Sequence, residues 1–389
     1  MKNFTFSQPT EIVFGGGTHT EIGPRLAGTA RKVLLHYGGA SAEKSGLLAR
    51  VRQSLEQSGI EYTLLGGVRP NPRLALVRQG IALARSENVD AVLAVGGGSV
   101  IDSAKAIAAG VPYAGDVWDF FRDNLQPTDV LPVATILTIP AAGSEASDSC
   151  VLTNEDGPVK KGIHSPSIRP RLSILDPTLT YTLPAWQTAA GGVDIMAHVM
   201  ERYFTNEKDV GLTDRLCEAV LKTIIRHLPV VLERPDDYAS RAQMMWAGTL
   251  AHNNLLSTGR TGDWASHAIS HQLSALYDLT HGAALAIVFP GWMKYVYRHD
   301  PVRFAQFAVR VWGVEDDFSD PERIAREGIR HTESFFARCG LPTTCTQAKL
   351  PYSEFGRMAD MATAGGTTTI GQFVPLGRDD VYEIYHLTL

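Results

Sequence analysis

Hydrophobic and polar positions in the first half of the chain alternate between two patterns. Short apolar runs rich in Val, Ile and Leu predict buried strands, and these runs alternate with stretches that have apolar residues at helical spacing. The predicted strands are Lys32–Tyr37, Glu61–Val68, Asp90–Ser99 and Leu131–Pro140, and the predicted helices are Ala42–Ser58, Pro72–Ser86 and Val100–Gly110. A turn at Glu155–Gly157 between extended flanks predicts a hairpin. Strands that alternate with helices indicate βαβ units and a parallel sheet.

The second half of the chain has a different pattern. After Ile174–Pro184, long helical stretches such as "DRLCEAVLKTIIRHLPVVL" and "MMWAGTLAHNNLL" dominate, and we expect Pro and Gly to interrupt them near Pro229, Pro235, Gly259 and Pro290. A boundary near 184 therefore separates two predicted domains. Residues 1–184 form an α/β, Rossmann-like domain with a parallel sheet, and residues 185–389 form an all-α domain.

Composition and charge narrow the class of protein. A chain of 389 residues is expected to hold about two domains, and 44% hydrophobic with 20% charged residues is typical of a globular protein. The net charge of -5 offers no basic field for nucleic acid or an anionic membrane. The chain has neither the apolar core of a signal peptide nor a run of about 18 apolar residues. Its 4 cysteines lack CxxC spacing. We expect a soluble, cytoplasmic protein with reduced thiols.

The stretch "AVGGGSVIDSAKAI", Ala94–Ile107, is the clearest local motif in the first half. A strand ends, the three glycines Gly96, Gly97 and Gly98 follow, and Ser99 begins a helix. Glycines allow close approach of backbone N–H groups, and a helix N-terminus favours an anion. The motif predicts phosphate binding, as in a dinucleotide. The alternative is a tight turn with Ser99 as helix cap.

A second glycine loop, "HYGGASAEKSG", follows the first predicted strand. In dinucleotide sites an acidic residue near a strand end commonly binds the ribose 2′-hydroxyl. Gly38, Gly39 and Ser41 offer no carboxylate at this point. Since a 2′-phosphate would meet N–H groups and a hydroxyl rather than a negative charge, the loop favours NADP(H) over NAD(H). A plain turn remains the alternative.

Histidines and one aspartate in the second half suggest a metal site. Asp194 and His198 are four residues apart and share one face of a predicted helix. Three further histidines, His267, His271 and His281, follow in an apolar setting. Spacing alone leaves two possibilities open, with His267 paired either to His271 or to His281. One carboxylate with several imidazoles suits Zn²⁺ or Fe²⁺ better than Mg²⁺ or Ca²⁺.

Six motifs, in order along almost the whole chain, carry a resemblance to a known family. They are "FGGG" (Phe14–Gly17), "GGGSVIDSAK" (Gly96–Lys105), "TIPAAGSE" (Thr138–Glu145), "LDPTLTYTLP" (Leu175–Pro184), "GGVDIMAHVMERY" (Gly191–Tyr203) and "HAISHQLSALYDLTHGAALAI" (His267–Ile287). The chain resembles the iron-containing (group III) alcohol dehydrogenases, which have the dehydroquinate-synthase-like fold. It is most similar to their NADP-dependent butanol dehydrogenase and broad aldehyde reductase branch.

The resemblance implies roles for individual residues. The metal ligands would be Asp194, His198, His267 and His281, with His271 near the substrate. The cofactor would contact Gly38, Gly39, Ser41, Gly96, Gly97, Gly98, Ser99, Asp102, Thr138, Ser144, Lys160, Leu179 and His198. One departure is Ala142, where the family often has Thr and one potential contact is lost. The N-terminal strand Phe4–Phe14 would pair with its counterpart in a homodimer.

The implied activity is hydride transfer between a nicotinamide and a short-chain primary alcohol or aldehyde. One divalent metal, Fe²⁺ or Zn²⁺, would polarise the substrate oxygen, and His271 could carry the proton. Two alternatives remain. A phospho-alcohol dehydrogenase or lyase of the same superfamily would need basic side chains for a substrate phosphate. A non-catalytic NADP(H)-binding protein would lack turnover.

Overall fold

The computed structural model describes residues 1–39, 41–157, 159–317 and 319–389, so Ala40 of the second glycine loop lies outside it. The described chain forms two compact units. The sheet unit consists of Ser7–Thr182 with Asp236–Met245, and the helical unit consists of Met1–Phe6, Leu183–Pro235 and Trp246–Leu389. The division into domains 1–184 and 185–389 stays a prediction.

The sheet unit is built on a parallel sheet. Its elements are β1 (Glu11–Phe14), α1 (Ile22–Leu26), β2 (Lys32–Tyr37), α2 (Ser41–Lys44), α3 (Leu47–Gln57), β3 (Glu61–Leu65), α4 (Leu74–Ser86), β4 (Ala91–Gly97), α5 (Gly98–Gly110), α6 (Trp118–Arg122), β5 (Val133–Ile139), β6 (Ser149–Asn154), β7 (Val159–His164) and β8 (Leu172–Leu175). Six strands lie in the order β1-β8-β5-β4-β2-β3, and every neighbouring pair is parallel. The antiparallel pair β6 and β7 is the predicted hairpin. The predicted α/β class is confirmed.

Both faces of the central strand β4 are covered, which explains why β4 carries no polar side chain. Val92 and Ala94 of β4 belong to one hydrophobic cluster, while Leu93 and Val95 belong to another. Successive side chains of a strand point to opposite faces, so each cluster packs on one face. A parallel sheet covered by helices on both faces has strands of this kind.

The structure differs from the sequence predictions for this unit at three places. The helix predicted over Ala42–Ser58 is divided into α2 and α3, because Gly46 between them has a left-handed φ of 72°. Strand β8 was not predicted, since Leu172–Leu175 is too short to stand out. Of the N-terminal strand expected over Phe4–Phe14, only Glu11–Phe14 forms one, and it pairs with β8.

The helical unit contains the long helices that its sequence predicts. They are α7 (Ala185–Tyr203), α8 (Gly211–Glu233), α10 (Ala265–Tyr277), α11 (His281–Val296), α12 (Pro301–Phe307), α13 (Pro321–Arg338), α14 (Phe355–Ala362) and α15 (Arg378–His386), together with the end of α9 (Tyr238–His252). Helices α7 and α11 are buried over most of their length. Pro229 and Pro290 do not end helices but lie inside α8 and α11. None of the described helices combines the length and the apolar character that crossing a bilayer requires.

Candidate metal and cofactor sites

Helix α7 places Asp194 and His198 side by side. The two residues are one turn apart, and Oδ1 of Asp194 lies 3.3 Å from Nδ1 of His198. Both side chains are buried, with 5% of each exposed. The predicted pairing of a carboxylate and an imidazole on one helix face is therefore present.

Two further helices bring their histidines to the same point. His267 lies in the first turn of α10, and His281 is the first residue of α11. One potential ligand atom from each of Asp194, His267 and His281 lies within 4.8 Å of the other two. Nε2 of His281 is 3.8 Å from Oδ1 of Asp194. The ring of His198 stands 4.6 Å from that of His267, so it borders this group of three.

The spacing and chemistry of these atoms fit a divalent cation. Two ligand atoms that are each about 2.1 Å from a tetrahedral ion lie about 3.4 Å apart, close to the two distances from Asp194. Nε2 of His267 is buried and has no hydrogen-bond partner among the described residues. A buried acceptor without a partner is costly unless another group binds it. One carboxylate with imidazole nitrogens is a donor set that Zn²⁺ and Fe²⁺ accept.

Burial also keeps His198 in its neutral form. Desolvation lowers the pKa of His198 well below its ordinary value, and the nearby His267 and Arg202 lower it further. The guanidinium of Arg202 donates to the backbone oxygen of His198 at 2.7 Å. A neutral imidazole retains the lone pair that metal binding requires.

His271 lies beside this group rather than within it. It follows His267 by one turn of α10, and its ring is 6.5 Å from the ring of His267 and 5.3 Å from that of His281. The three-residue group contains His281 and not His271. Of the two pairings that spacing left open, the geometry favours His267 with His281.

Sequence reasoning missed two buried residues near these histidines. Glu201 of α7 accepts a hydrogen bond from Nδ1 of His267 at 2.8 Å. The ring of His252, at the end of α9, stands edge-on to that of His198 with centroids 4.3 Å apart. Glu201 continues the face of α7 that carries Asp194 and His198, so helical periodicity could have indicated it. His252 is distant in sequence from every predicted ligand and had no such indication.

The predicted phosphate motif spans the junction of β4 and α5. β4 ends at Gly97, and α5 starts at Gly98. Ser99 is the second residue of α5 and does not cap it; Gly97 stands at the cap position, with no side-chain cap bond. The first N–H groups of a helix have no partner within it, so this N-terminus can receive an anion.

The glycines of this motif are explained partly by packing within the protein. None of the three has a positive φ. A Cβ at Gly96 would stand 2.4 Å from Cγ2 of Val100, and one at Gly97 would stand 2.9 Å from Cβ of Ile139. Gly96 and Gly97 therefore let the strand end pack on α5 and β5. Gly98 is less crowded, with Cβ of Ala142 at 3.1 Å as its nearest neighbour.

Two predicted cofactor residues bind each other. The hydroxyl of Ser144 donates to Oδ1 of Asp102 at 2.5 Å, and the backbone N–H of Val151 donates to Oδ2 at 3.0 Å. Burial raises the pKa of Asp102, and the ammonium of Lys105 opposes that rise. Asp102 thus ties α5 to the Ser144 turn and to β6, which is a structural role.

The remaining predicted cofactor residues lie in four segments of the sheet unit. Gly38 follows β2, and a Cβ there would be 3.6 Å from Cγ2 of Val100 in the first turn of α5. Gly39 has open space where a Cβ would be, and the exposed Ser41 starts α2. The other three are Thr138 in β5, Lys160 in β7, whose Nζ donates to Oδ1 of Asn71 at 3.0 Å, and Leu179, which packs on one sheet cluster. His198, also predicted to flank the cofactor, belongs to the helical unit.

Comparisons with known proteins agree with this architecture. The profile of the family described as iron-containing alcohol dehydrogenase matches residues 9–177, and that of the family's C-terminal part matches residues 188–389. NADH-dependent butanol dehydrogenase A of Clostridium acetobutylicum is 41% identical over 99% of both chains. NADPH-dependent aldehyde reductase YqhD of Escherichia coli is 35% identical, also over 99% of both. The crystal structure of NADH-dependent butanol dehydrogenase A from Thermotoga maritima matches with a TM-score of 0.96 at 41% identity, covering 100% of this chain and 99% of the other.

Proposed function

The chain belongs to the iron-containing alcohol dehydrogenase family and is an alcohol dehydrogenase or aldehyde reductase with a nicotinamide cofactor and a divalent metal; on this premise we propose its ligands, cofactor and substrate. The metal ligands are Asp194, His198, His267 and His281. The group of Asp194, His267 and His281, with ligand atoms within 4.8 Å of one another, is the observation that carries this assignment. His198 joins them from the same helix face as Asp194.

The reaction transfers a hydride between a nicotinamide and the carbon of a short-chain primary alcohol or aldehyde. When bound, a divalent cation supplies a Lewis acid that polarises the substrate oxygen. The chain's own contribution is to hold one carboxylate and three imidazoles close together on three helices of the helical unit. The metal is Fe²⁺ or Zn²⁺, because this donor set accepts both and availability selects between them.

The experiment that tests this proposal joins metal content to turnover. Protein purified without oxygen is analysed for bound metal and then assayed for oxidation of NADPH with butanal. We expect about one Fe²⁺ or Zn²⁺ per chain and metal-dependent turnover. A His281→Ala variant should lose both. Turnover that persists after complete removal of the metal would contradict the ligand assignment.

The proposed cofactor is NADP(H). Its support is the absence of a carboxylate at Gly38, Gly39 and Ser41, beside the first turn of α5. Two observations favour NAD(H) instead. The relatives that are 41% identical are named NADH-dependent. In addition, Glu43 on α2 is a carboxylate close to the end of β2, where it accepts a hydrogen bond from the hydroxyl of Tyr37 at 3.2 Å.

A charge placed in the loop distinguishes the two cofactors. We expect wild type to have the higher kcat/KM with NADPH, and Ser41→Asp to lower the NADPH value at least tenfold through repulsion of the 2′-phosphate. The value with NADH should change little. Ser45→Asp is the matched control, an exposed serine four residues further along. Equal loss with both cofactors would place Ser41 away from the 2′-phosphate.

His271 is proposed to carry the proton between substrate and solvent. It is half-buried, and its ring lies 5.3 Å from that of the proposed ligand His281. His271→Ala should lower kcat and change its pH profile while leaving the metal content intact. Unchanged turnover across pH would show that His271 has only a packing role.

A homodimer is proposed through the edge of the sheet. β1 is one of the two edge strands of the described sheet, next to β8. Exposed strand edges pair readily with a second chain, and Phe4 and Phe6 just before it are also exposed. Light scattering on the full chain should give twice the mass of 42.2 kDa. A monomeric mass would remove this proposal.

The two alternative functions are separated by substrate. A phospho-alcohol dehydrogenase or lyase would turn over phosphorylated substrates and not butanal. A non-catalytic protein would bind NADPH and oxidise none of it with any aldehyde. The intact group of ligands in the helical unit favours a catalytic protein over the second alternative.

A further inference from the structure

We propose that Glu201 is a positioning residue that fixes the orientation and the tautomer of His267, so that Nε2 of His267 is ready to bind the metal. This inference rests on the metal site proposed above. Glu201 is fully buried on α7, the helix that also carries Asp194 and His198. Three proposed functional side chains thus come from one face of one helix.

The carboxylate of Glu201 binds three donors from the start of α10. Oε1 accepts from Nδ1 of His267 at 2.8 Å and from its backbone N–H at 2.9 Å. Oε2 accepts from the backbone N–H of Trp264 at 2.6 Å. His267 is therefore held both by its ring and by its backbone, which fixes the direction of the ring.

These contacts decide which ring nitrogen carries the proton. A carboxylate accepts hydrogen bonds and cannot donate them, so Nδ1 of His267 must be the protonated nitrogen. In the neutral ring the lone pair is then on Nε2, which has no hydrogen-bond partner among the described residues. A carboxylate that orients a metal-binding histidine in this way commonly raises metal affinity 10–100-fold.

Glu201 also stabilises an unusual start of helix α10. Trp264 stands at the cap position with a φ of 68°, a left-handed conformation that is costly for a residue with a side chain, and it provides no side-chain cap. The buried carboxylate accepts from N–H groups that would have no partner within the helix. The first turn of α10, which contains His267, is thereby fastened to α7.

Glu201→Gln separates the charge and its hydrogen bonds from the size of the side chain. The amide oxygen can accept from His267, but the NH₂ group then faces the N–H of Trp264, donor against donor. In the opposite orientation the NH₂ group faces Nδ1 of His267 and favours the tautomer with the proton on Nε2. A protonated Nε2 cannot bind a metal. Either orientation weakens the proposed site.

The test measures metal affinity rather than activity. Zn²⁺ is titrated into the metal-free full chain by calorimetry, for wild type, Glu201→Gln and Glu218→Gln. Glu218 is the matched control, a buried glutamate on α8 that binds the hydroxyl of Tyr203 at 3.1 Å. We expect a 10–100-fold higher Kd for Glu201→Gln and a Kd within twofold of wild type for Glu218→Gln. An equal rise in both variants would mean that Glu201 only supports the fold.

A double-mutant cycle tests whether Glu201 acts through His267. In the His267→Ala background, Glu201→Gln should change the Kd by less than twofold, because the ring that it orients is gone. If Glu201→Gln raised the Kd by the same factor in the wild-type and His267→Ala backgrounds, the inference would be overturned. No specific binding by wild type would instead overturn the proposed metal site, so the two failures are distinguishable.

A measurement on the unaltered chain covers the case in which Glu201→Gln fails to fold. Nitrogen NMR of histidine-labelled, metal-free wild type reports the tautomer of each ring, and His267→Ala assigns the His267 signals. We expect a protonated Nδ1 and an unprotonated Nε2 for His267. A neutral ring that carries its proton on Nε2 would contradict the inference.

Discussion

Gly282 connects helix packing to the proposed metal site. It follows His281 at the start of α11, and a Cβ built on it would stand 1.9 Å from the backbone oxygen of Ala190 on α7. Ala190 precedes Asp194 by one helical turn. The absence of a side chain at Gly282 therefore allows the helix carrying His281 to approach the helix carrying Asp194.

Gly282→Ala should separate these two ligands. Contacts of a Cβ below 3.0 Å are essentially never seen, so α11 must withdraw from α7 by about 1 Å. The present distance from His281 Nε2 to Asp194 Oδ1 is 3.8 Å, and a displacement of about 1 Å far exceeds the roughly 0.2 Å within which metal–ligand distances are held. We expect the Kd for Zn²⁺ to rise about 100-fold, or about 2.7 kcal/mol. Overpacking should also lower the free energy of unfolding by roughly 1–3 kcal/mol. The higher helix propensity of Ala should offset about 1 kcal/mol of this loss.

The assay compares Gly282→Ala with Gly211→Ala. Gly211 is the exposed first residue of α8 and has open space where a Cβ would be. Calorimetry gives the Kd for Zn²⁺, and urea unfolding of the metal-free chains gives stability. Gly211→Ala should keep the wild-type Kd and lose no stability. If Gly282→Ala also binds Zn²⁺ with the wild-type Kd, the close approach of the helices does not set the ligand geometry.

Three further predictions concern pH, metal removal and the phosphate motif. Burial lowers the pKa of His36 to about 4 from 6.5, so the unfolded chain binds a proton that the folded chain does not, and stability falls as pH drops from about 6.5 towards 4. Urea unfolding should lose about 2 kcal/mol more in wild type than in His36→Asn between pH 7.5 and 5; equal losses would contradict this pKa. Zn²⁺ at a hundredfold its Kd should stabilise the metal-free chain by about 2.7 kcal/mol in thermal unfolding, and the same Zn²⁺ concentration should stabilise His267→Ala much less, because that variant lacks one proposed ligand and binds more weakly; an unchanged shift in that variant would exclude His267 as a ligand. In Gly96→Ala, a Cβ 2.4 Å from Val100 should displace the start of α5 and weaken NADPH binding at least tenfold by fluorescence titration, and unchanged binding would place the phosphates elsewhere.

The sequence was sufficient for the parallel sheet and for the pairing of Asp194 with His198 on one helix face. Strands such as Lys32–Tyr37 were predicted with the bounds that the structure has, because a buried strand is a continuous apolar run between turns. The pair Asp194 and His198 followed from the period of the helix. These features depend on neighbours in sequence, and local patterns report such neighbours well.

Features that depend on tertiary packing could not be predicted in this way. Pro290 lies inside α11, although a local rule expects proline to interrupt a helix. Gly96 and Gly97 were interpreted as room for a ligand, and their lack of a side chain also makes room for Val100 and Ile139. His252 approaches His198 from another helix. Each case requires knowledge of which segments meet, which a single sequence does not contain.

The face of α7 that carries Asp194, His198 and Glu201 explains why metal binding and folding should be coupled in the helical unit. All three side chains are buried, and burial of polar groups is unfavourable unless each finds a partner. Glu201 has its partners at the start of α10, within the protein. Nε2 of His267 is buried and has no hydrogen-bond partner among the described residues. A metal cation is a suitable partner for this nitrogen. This arrangement lowers the stability of the metal-free unit, because folding already includes the unfavourable free energy of burying and ordering the ligand side chains. Metal binding then does not have to order them, which favours binding.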